Sequence, residues 1–435
     1  MKTLSWSRLR RPAIIAAAML ISGWNAGVVS SHALAVESAG AWRDDCDIVM
    51  LRKGLDRTPR LRDTLQWFTG EWIGCNPFWR PLSSYGFWLM NRILGWGNFR
   101  AWTLVPAAFH VLVAVLLFLL VEGLTGRPLA GLAAVALNNI GSPGRLGDIY
   151  TSAGLRVVGK WIYFPDVWLA ACVLPALLLA WRGRIWWALV LAVAAAMVKE
   201  TGFMAFPLVG GIYWWRQRRW HSGLWILVAV AAGLAALRLV VVGPGWVLGS
   251  NRWVWLRIWR FVQCRPLNVI TTGMAPWGLL GIGLGAAAIT RRGPRVRAAM
   301  VIGGLVLAAG AFAIMKTAQG TRLGPAAGIA GLLEPTRVFV VLGVAVWLVM
   351  AWAGLRGRYH EAMLILAIAY LAMGIPPTIA PQSGQRSLYT PWLLSAAISA
   401  ICLWSLPAAF RRSASPRCAG ADSDAPPATH SITRG

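Results

Sequence analysis

Two stretches of this sequence place ionisable side chains where they could do chemistry. The first is Asp44-Asp45, followed at once by Asp47, a short way beyond an apolar run that ends near residue 30. Adjacent carboxylates repel, so one of them can be tuned to take a proton as a general base. The competing reading is a solvated acidic turn, and residue chemistry alone favours that one. The second stretch is Lys199-Glu200, which closes the apolar run 185–198 and leads straight into another at 203–215. No loop is left to solvate this pair. Ionisable groups at membrane depth are costly and tend to mark a functional path; a structural Lys–Glu ion pair is the alternative. Arg238 inside a later apolar run and Arg386 just before the last one extend the basic set. Arg238 on its own reads as a side chain reaching for the interface. Together with Lys199, these residues offer what a lipid phosphate needs, since Arg gives forked contacts to phosphate and Lys a point charge. His110, alone on an apolar segment, reads as a buried, hydrogen-bonded core residue.

The elements that must hold these residues are membrane-spanning helices. Of 435 residues, 57% are hydrophobic and only 13% charged, with a mean hydropathy of +0.59, a balance foreign to soluble proteins. Apolar segments fall at 13–30, 102–121, 128–140, 166–181, 185–198, 203–215, 222–242, 269–290, 298–315, 338–354, 362–375 and 390–408. Several are shorter than the roughly 20 residues that cross a bilayer core, and need interfacial helices or a watery cavity beside them. The 27 tryptophans suit interfacial anchoring. With the N-terminus inside, Arg182/Arg184, Arg216/Arg218/Arg219, Arg291/Arg292/Arg295/Arg297, Arg356/Arg358 and Arg411/Arg412 all fall on the cytoplasmic side, as the positive-inside rule asks. The expectation is an all-α polytopic membrane protein with about twelve spans and both termini inside.

The net charge of +27 does not indicate a nucleic-acid partner, because the basic residues are spread over loop after loop. Topology accounts for roughly half of them; the outward-facing remainder suits an anionic, phosphate-bearing lipid. Residues 1–35 read as a transmembrane helix, either a signal anchor or a cleaved signal peptide ending in Ala-Leu-Ala. Residues 36–101 form the first periplasmic loop, with an amphipathic segment near Leu82–Leu94 and helices expected on the membrane surface. The transmembrane bundle fills 102–410, and a disordered cytoplasmic tail is expected over 411–435. Cys46 and Cys75 share the first loop, where a disulfide and two free thiols are both open readings. No phosphate-binding glycine loop occurs, so a donor would be carried by lipid rather than by a nucleotide.

At this point the pieces resemble a known class. Asp44-Asp45 after the first helix, Phe78-Trp-Arg-Pro-Leu-Ser-Ser84, Leu124-Thr-Gly126, Asp166-Val-Trp-Leu, Val198-Lys-Glu-Thr201 with Pro207, and Arg386-Ser-Leu-Tyr-Thr-Pro391 look like the GT-C class of membrane glycosyltransferases. The likeness is to bacterial relatives of protein O-mannosyltransferases, including those that carry tetratricopeptide tails, and it covers residues from about 10 to 410. Two departures stand out. Leu137-Asn-Asn-Ile-Gly-Ser-Pro143 occupies the place of a His-Pro motif at the end of the third helix, and no tetratricopeptide tail follows.

The resemblance implies a GT-C-like bundle with periplasmic loop helices in a bacterial inner membrane, its active site facing the periplasm. It implies an inverting, mannosyltransferase-like transfer of a hexose from a polyprenyl-phosphate donor to an acceptor hydroxyl on a glycan, lipid or protein. Asp45 would act as base with Asp44 as its alternate or orienting partner. Lys199, Arg238 and Arg386 would hold the donor phosphate. Asp148, Asp166, Glu200 and Arg80 would bind substrate. The resemblance names no certain cofactor, and paired carboxylates could hold a divalent cation. The alternatives are an O-antigen-ligase-like enzyme, whose large outer loop falls late in the chain and not first, a lipid or solute transporter, for which no internal repeat is seen, and a non-catalytic protein on the same scaffold.

Overall fold

The structure is a computed structural model that describes residues 6–38, 46–70, 73, 78–140, 161, 164–218, 220–242, 359–379 and 389–414. Among the described residues all regular structure is helical. In chain order the helices are α1 (Trp6–Ser38), α2 (Cys46–Arg57), α3 (Gln66–Thr69, preceded by the 3-10 turn Leu61–Leu65), α4 (Pro81–Leu94), α5 (Phe99–Thr125), α6 (Pro128–Ile140), α7 (Phe164–Trp181), α8 (Ile185–Val198), α9 (Ala205–Gln217), α10 (Ser222–Val242), α11 (His360–Ile379) and α12 (Tyr389–Ala414). Three of them, α5, α7 and α10, are long and apolar enough to cross a membrane. The sequence segments at 269–290, 298–315 and 338–354 lie outside the described residues.

The helix limits follow from local chemistry. Asn98 caps α5 by accepting from the Ala101 N–H at 3.4 Å. The same helix ends at Gly126, which takes the left-handed conformation (φ 67°) and returns its N–H to the Glu122 carbonyl. Pro128 then starts α6 two residues later, where a missing N–H costs nothing. The pair α7 and α8 is joined by Arg182-Gly183-Arg184 alone, with Gly183 also left-handed (φ 76°).

The helices pack as a bundle. α5 lies against α1, α6 and α7; α7 lies against α8 and α9; α12 closes on α6 and α11. A second apolar cluster, with Leu51, Trp67, Phe87, Trp88, Trp102, Trp161 and Phe164 at its centre, joins α2, α3 and α4 to the starts of α5 and α7. The loop helices expected on the membrane surface therefore have a core of their own, and α4 docks on α8. Gly86 permits the contact with α7, because a Cβ there would come within 2.6 Å of Trp168. A second expectation is corrected at the far end. α12 continues through Arg411 and Arg412 to Ala414, so residues 411–414, expected in the tail, are helical, and the rest of the tail lies outside the described residues.

α1 is built into the bundle. It packs along α5 and α6, its Asn25 donates to the Asn139 side-chain oxygen at 2.8 Å, and its Ser22 accepts from the Asn139 amide at 3.1 Å. Removing α1 would take the Asn25 and Ser22 hydrogen bonds from Asn139, about 1 kcal/mol each, and uncover the faces of α5 and α6 on which it packs. The mature protein is therefore expected to keep α1. Intact mass spectrometry of the purified membrane protein decides this, and a species lacking residues 1–35 would refute it.

Candidate functional site

The bundle has two chemically distinct ends. Arg11, Arg127, Arg182, Arg184, Arg216 and Arg218 sit at one of them, at the helix ends opposite to Lys199. There Arg11 grips Glu122 with both forks at 2.9 and 3.0 Å, tying α1 to α5. The candidate site lies at the other end, where α4, α7 and α10 meet the connector between α8 and α9.

That connector is shaped by its residues. α8 stops at Val198, and Lys199 adopts an extended backbone (φ −157°, ψ 150°). Residues 200–204 then form a 3-10 turn folded back over the helix end. Gly202 makes the fold-back possible, since a Cβ there would collide with the backbone of Ala195. The Ser83 hydroxyl of α4 donates to the Val198 carbonyl at 2.6 Å, satisfying an acceptor that the terminating helix leaves open. α4 is thereby fixed beside the turn, and Arg80, at the start of α4, is brought to Glu200.

Five charged side chains meet in this place. Lys199 forms a buried ion pair with Asp166 in the first turn of α7. Arg80 holds Glu200 through three contacts of 2.7–3.0 Å, and its guanidinium also lies 4.1 Å over the Phe78 ring. Arg238 reaches in from α10, its guanidinium carbon 5.8 Å from the Phe203 ring centre. The side chains of both ion pairs are no more than 14% exposed. Lys199 and Glu200 lie in the connector, outside the helical spans. Burial pushes the Lys199 ammonium below its ordinary value, against the opposing pull of Asp166. Burial also works against the Glu200 charge, but Arg80 outweighs it and the carboxyl stays below its ordinary value.

The structure therefore brings together Lys199, Arg238, Asp166, Glu200 and Arg80, the site residues expected from sequence that are described. Asp44, Asp45, Asp148, Arg386 and Cys75 lie outside the described residues. One expectation changes. Lys199 and Glu200 do not pair with each other, because an extended backbone directs neighbouring side chains apart. Each takes a partner from another helix instead. Ser83 was missed as a positioning residue, although it stands inside the quoted Phe78–Ser84 motif.

A second polar group lies within the bundle. The Tyr389 hydroxyl is 2.7 Å from Nδ1 of His110, and Nε2 of His110 is 3.3 Å from Oδ1 of Asn139. Asn139 Oδ1 can only accept, so His110 donates from Nε2 and Tyr389 donates to Nδ1. His110 is thus a hydrogen-bonded core residue, as its sequence setting suggested. Its partners Asn139 and Tyr389 come from α6 and α12, and Asn139 in turn donates to Ser22 of α1. The imidazole that meets Asn139 near the end of α6 is supplied by α5.

Chemically, three cations and two carboxylates packed at a helix terminus can bind an anion and orient hydroxyl groups around it. Among the described residues no three His, Cys, Asp or Glu side chains gather as a metal set. Comparisons of the chain with protein-family models, with curated proteins and with solved structures return no match.

Proposed function

We propose that this chain is an inverting glycosyltransferase with a GT-C-like bundle of about twelve spans, which moves a sugar from a polyprenyl-phosphate donor to an acceptor hydroxyl. The observation that carries the reading is the buried cluster of Arg80, Lys199 and Arg238 with Asp166 and Glu200. Buried charge is expensive to assemble, and in a bundle of apolar helices it is retained where it has a ligand to meet. A phosphate on a lipid reaches such a place laterally, without crossing water.

In this mechanism the acceptor oxygen attacks the anomeric carbon while the carbon–oxygen bond to phosphate breaks. The polyprenyl phosphate leaves with the electron pair, and the acceptor proton passes to a carboxylate. Lys199, Arg80 and Arg238 stabilise the charge growing on the leaving phosphate. Asp45 is proposed as base, with Asp44 beside it. Arg386 would add to the phosphate set and Asp148 to the sugar or acceptor contacts. The opposite, Arg-rich end would face the cytoplasm of a bacterial inner membrane, leaving the cluster on the outer side.

Thermal unfolding of the detergent-purified protein in a panel of ligands tests this. Polyprenyl-phosphate sugars and polyprenyl phosphate are expected to raise the midpoint. Saturation near a hundredfold over Kd would add about 2.7 kcal/mol. Nucleotide sugars are expected to do nothing. Protection by nucleotide sugars alone, or by neither group, would remove the basis for the proposal. A non-catalytic lipid-phosphate binder would share the thermal shift and fail to transfer sugar, so the transfer assay separates the two.

A further inference from the structure

The first-loop helices carry a surface that the buried cluster does not use. α2 and the turn after it expose Arg52, Lys53, Arg57, Arg60 and Arg62, and α4 exposes Arg92. Three carboxylates, Asp47, Asp56 and Asp63, lie on these segments against the six cations. Asp56 makes a long 4.0 Å contact with Arg52, and Asp63 lies 3.8 Å from Arg62 while accepting from the Arg60 backbone. This end of the bundle is opposite to the arginine clusters that topology explains, so the positive-inside rule does not account for it.

Large apolar side chains are exposed on the same segments. Leu61 is 59% exposed, Leu65 66% and Ile93 71%, with Val49, Met50 and Leu89 also open. Leu89, Arg92 and Ile93 share one face of α4 by their helical spacing. A soluble polyanion needs cations and gains nothing from isoleucine and leucine. A bilayer interface takes both, placing apolar side chains among the upper acyl carbons and arginine at the headgroups. The position in the fold agrees with this. Gly95 and Gly97, both at positive φ, turn the chain from α4 directly into α5 at Phe99, and α5 is long and apolar enough to span. Leu104, in the second turn of α5, is 61% exposed. Ile93 therefore lies near the level at which a span enters lipid. The surface is rigid from beneath, since the Trp88 and Trp79 indoles donate to the Thr58 and Phe68 carbonyls at 2.8 and 3.0 Å.

We propose that α2, the Leu61–Leu65 turn and α4 form an interfacial platform that binds the anionic phospholipid headgroups of the leaflet beside the candidate site. The platform is separate from the buried cluster and stands whether or not the chain transfers sugar. Hydrogen exchange of the full-length protein in nanodiscs tests it. Discs of phosphatidylcholine alone are compared with discs doped with phosphatidylglycerol. Amides of residues 46–65 are expected to exchange about tenfold more slowly in the doped discs, because each engaged cation adds to the attraction. High salt is expected to reverse the effect, and α7 amides should not respond. The variant Arg52→Gln/Arg57→Gln/Arg62→Gln is expected to lose the dependence on phosphatidylglycerol while its α7 exchange shows that it is folded. Should that variant misfold, the salt reversal in the unaltered protein carries the same test. Equal exchange in both discs, or a lipid effect that survives high salt or the substitutions, overturns the proposal. So does slowing produced only by soluble polyglutamate, which would make the surface a site for an acidic polymer.

Discussion

Replacing Lys199 with methionine is expected to destabilise the protein by about 3–5 kcal/mol. Its partner Asp166 sits in the first turn of α7 with a side chain only 8% exposed, so the substitution leaves a carboxylate buried without its main cation. Adding Asp166→Asn removes that charge, and the double variant is expected to recover most of the loss, since a buried pair replaced as a unit is often close to neutral. The pair Arg11–Glu122 supplies the control. Arg11 is 56% exposed, and Arg11→Ala is expected to cost less than about 1 kcal/mol. Denaturant or thermal unfolding in detergent measures all three. If Lys199→Met and the double variant unfold at the same point, Asp166 is not the group that needs Lys199, and the buried pairing described above is wrong.

That experiment probes what sequence could not supply. The helices were legible because their limits are written in local chemistry: α8 and α10 occupy 185–198 and 222–242, where Arg and Gly turns punctuate apolar runs. Lys199 and Glu200 stood out for the same local reason, being charges with no loop around them. Their partners were not legible. Lys199 meets a residue 33 positions away and Glu200 one 120 positions away, and those distances are closed by tertiary packing of α4 and α7 on α8. His110 shows the same division. Its burial follows from an apolar segment, whereas Tyr389 lies 279 positions off on another helix. The end of α12 was misplaced because Arg411-Arg412 reads equally as a stop and as a polar last turn, where basic side chains favour a helix C-terminus.

The division of labour in the proposed reaction predicts two opposite failures. Asp45→Asn is expected to lower the rate of sugar transfer by about 10²–10⁴-fold, the usual worth of a positioned general base. The amide cannot take the acceptor proton, while in the proposed mechanism Arg80, Lys199 and Arg238 hold the donor phosphate. Thermal protection by polyprenyl-phosphate sugars should therefore persist in Asp45→Asn. Arg80→Gln should behave the other way. Losing the forked grip on Glu200 leaves that carboxylate facing the donor phosphate, and donor protection should fall along with transfer. Asp44→Asn is expected to be the milder of the two carboxylate substitutions, because an orienting neighbour contributes less than the proton acceptor. Transfer from a polyprenyl-phosphate sugar, assayed with thermal shifts on the same preparations, reads both quantities. Full activity in Asp45→Asn would exclude that carboxylate as the base. Loss of donor protection in the same variant would move Asp45 from proton transfer to donor binding, because a group that acts only on the acceptor proton has no contact with the bound donor to lose.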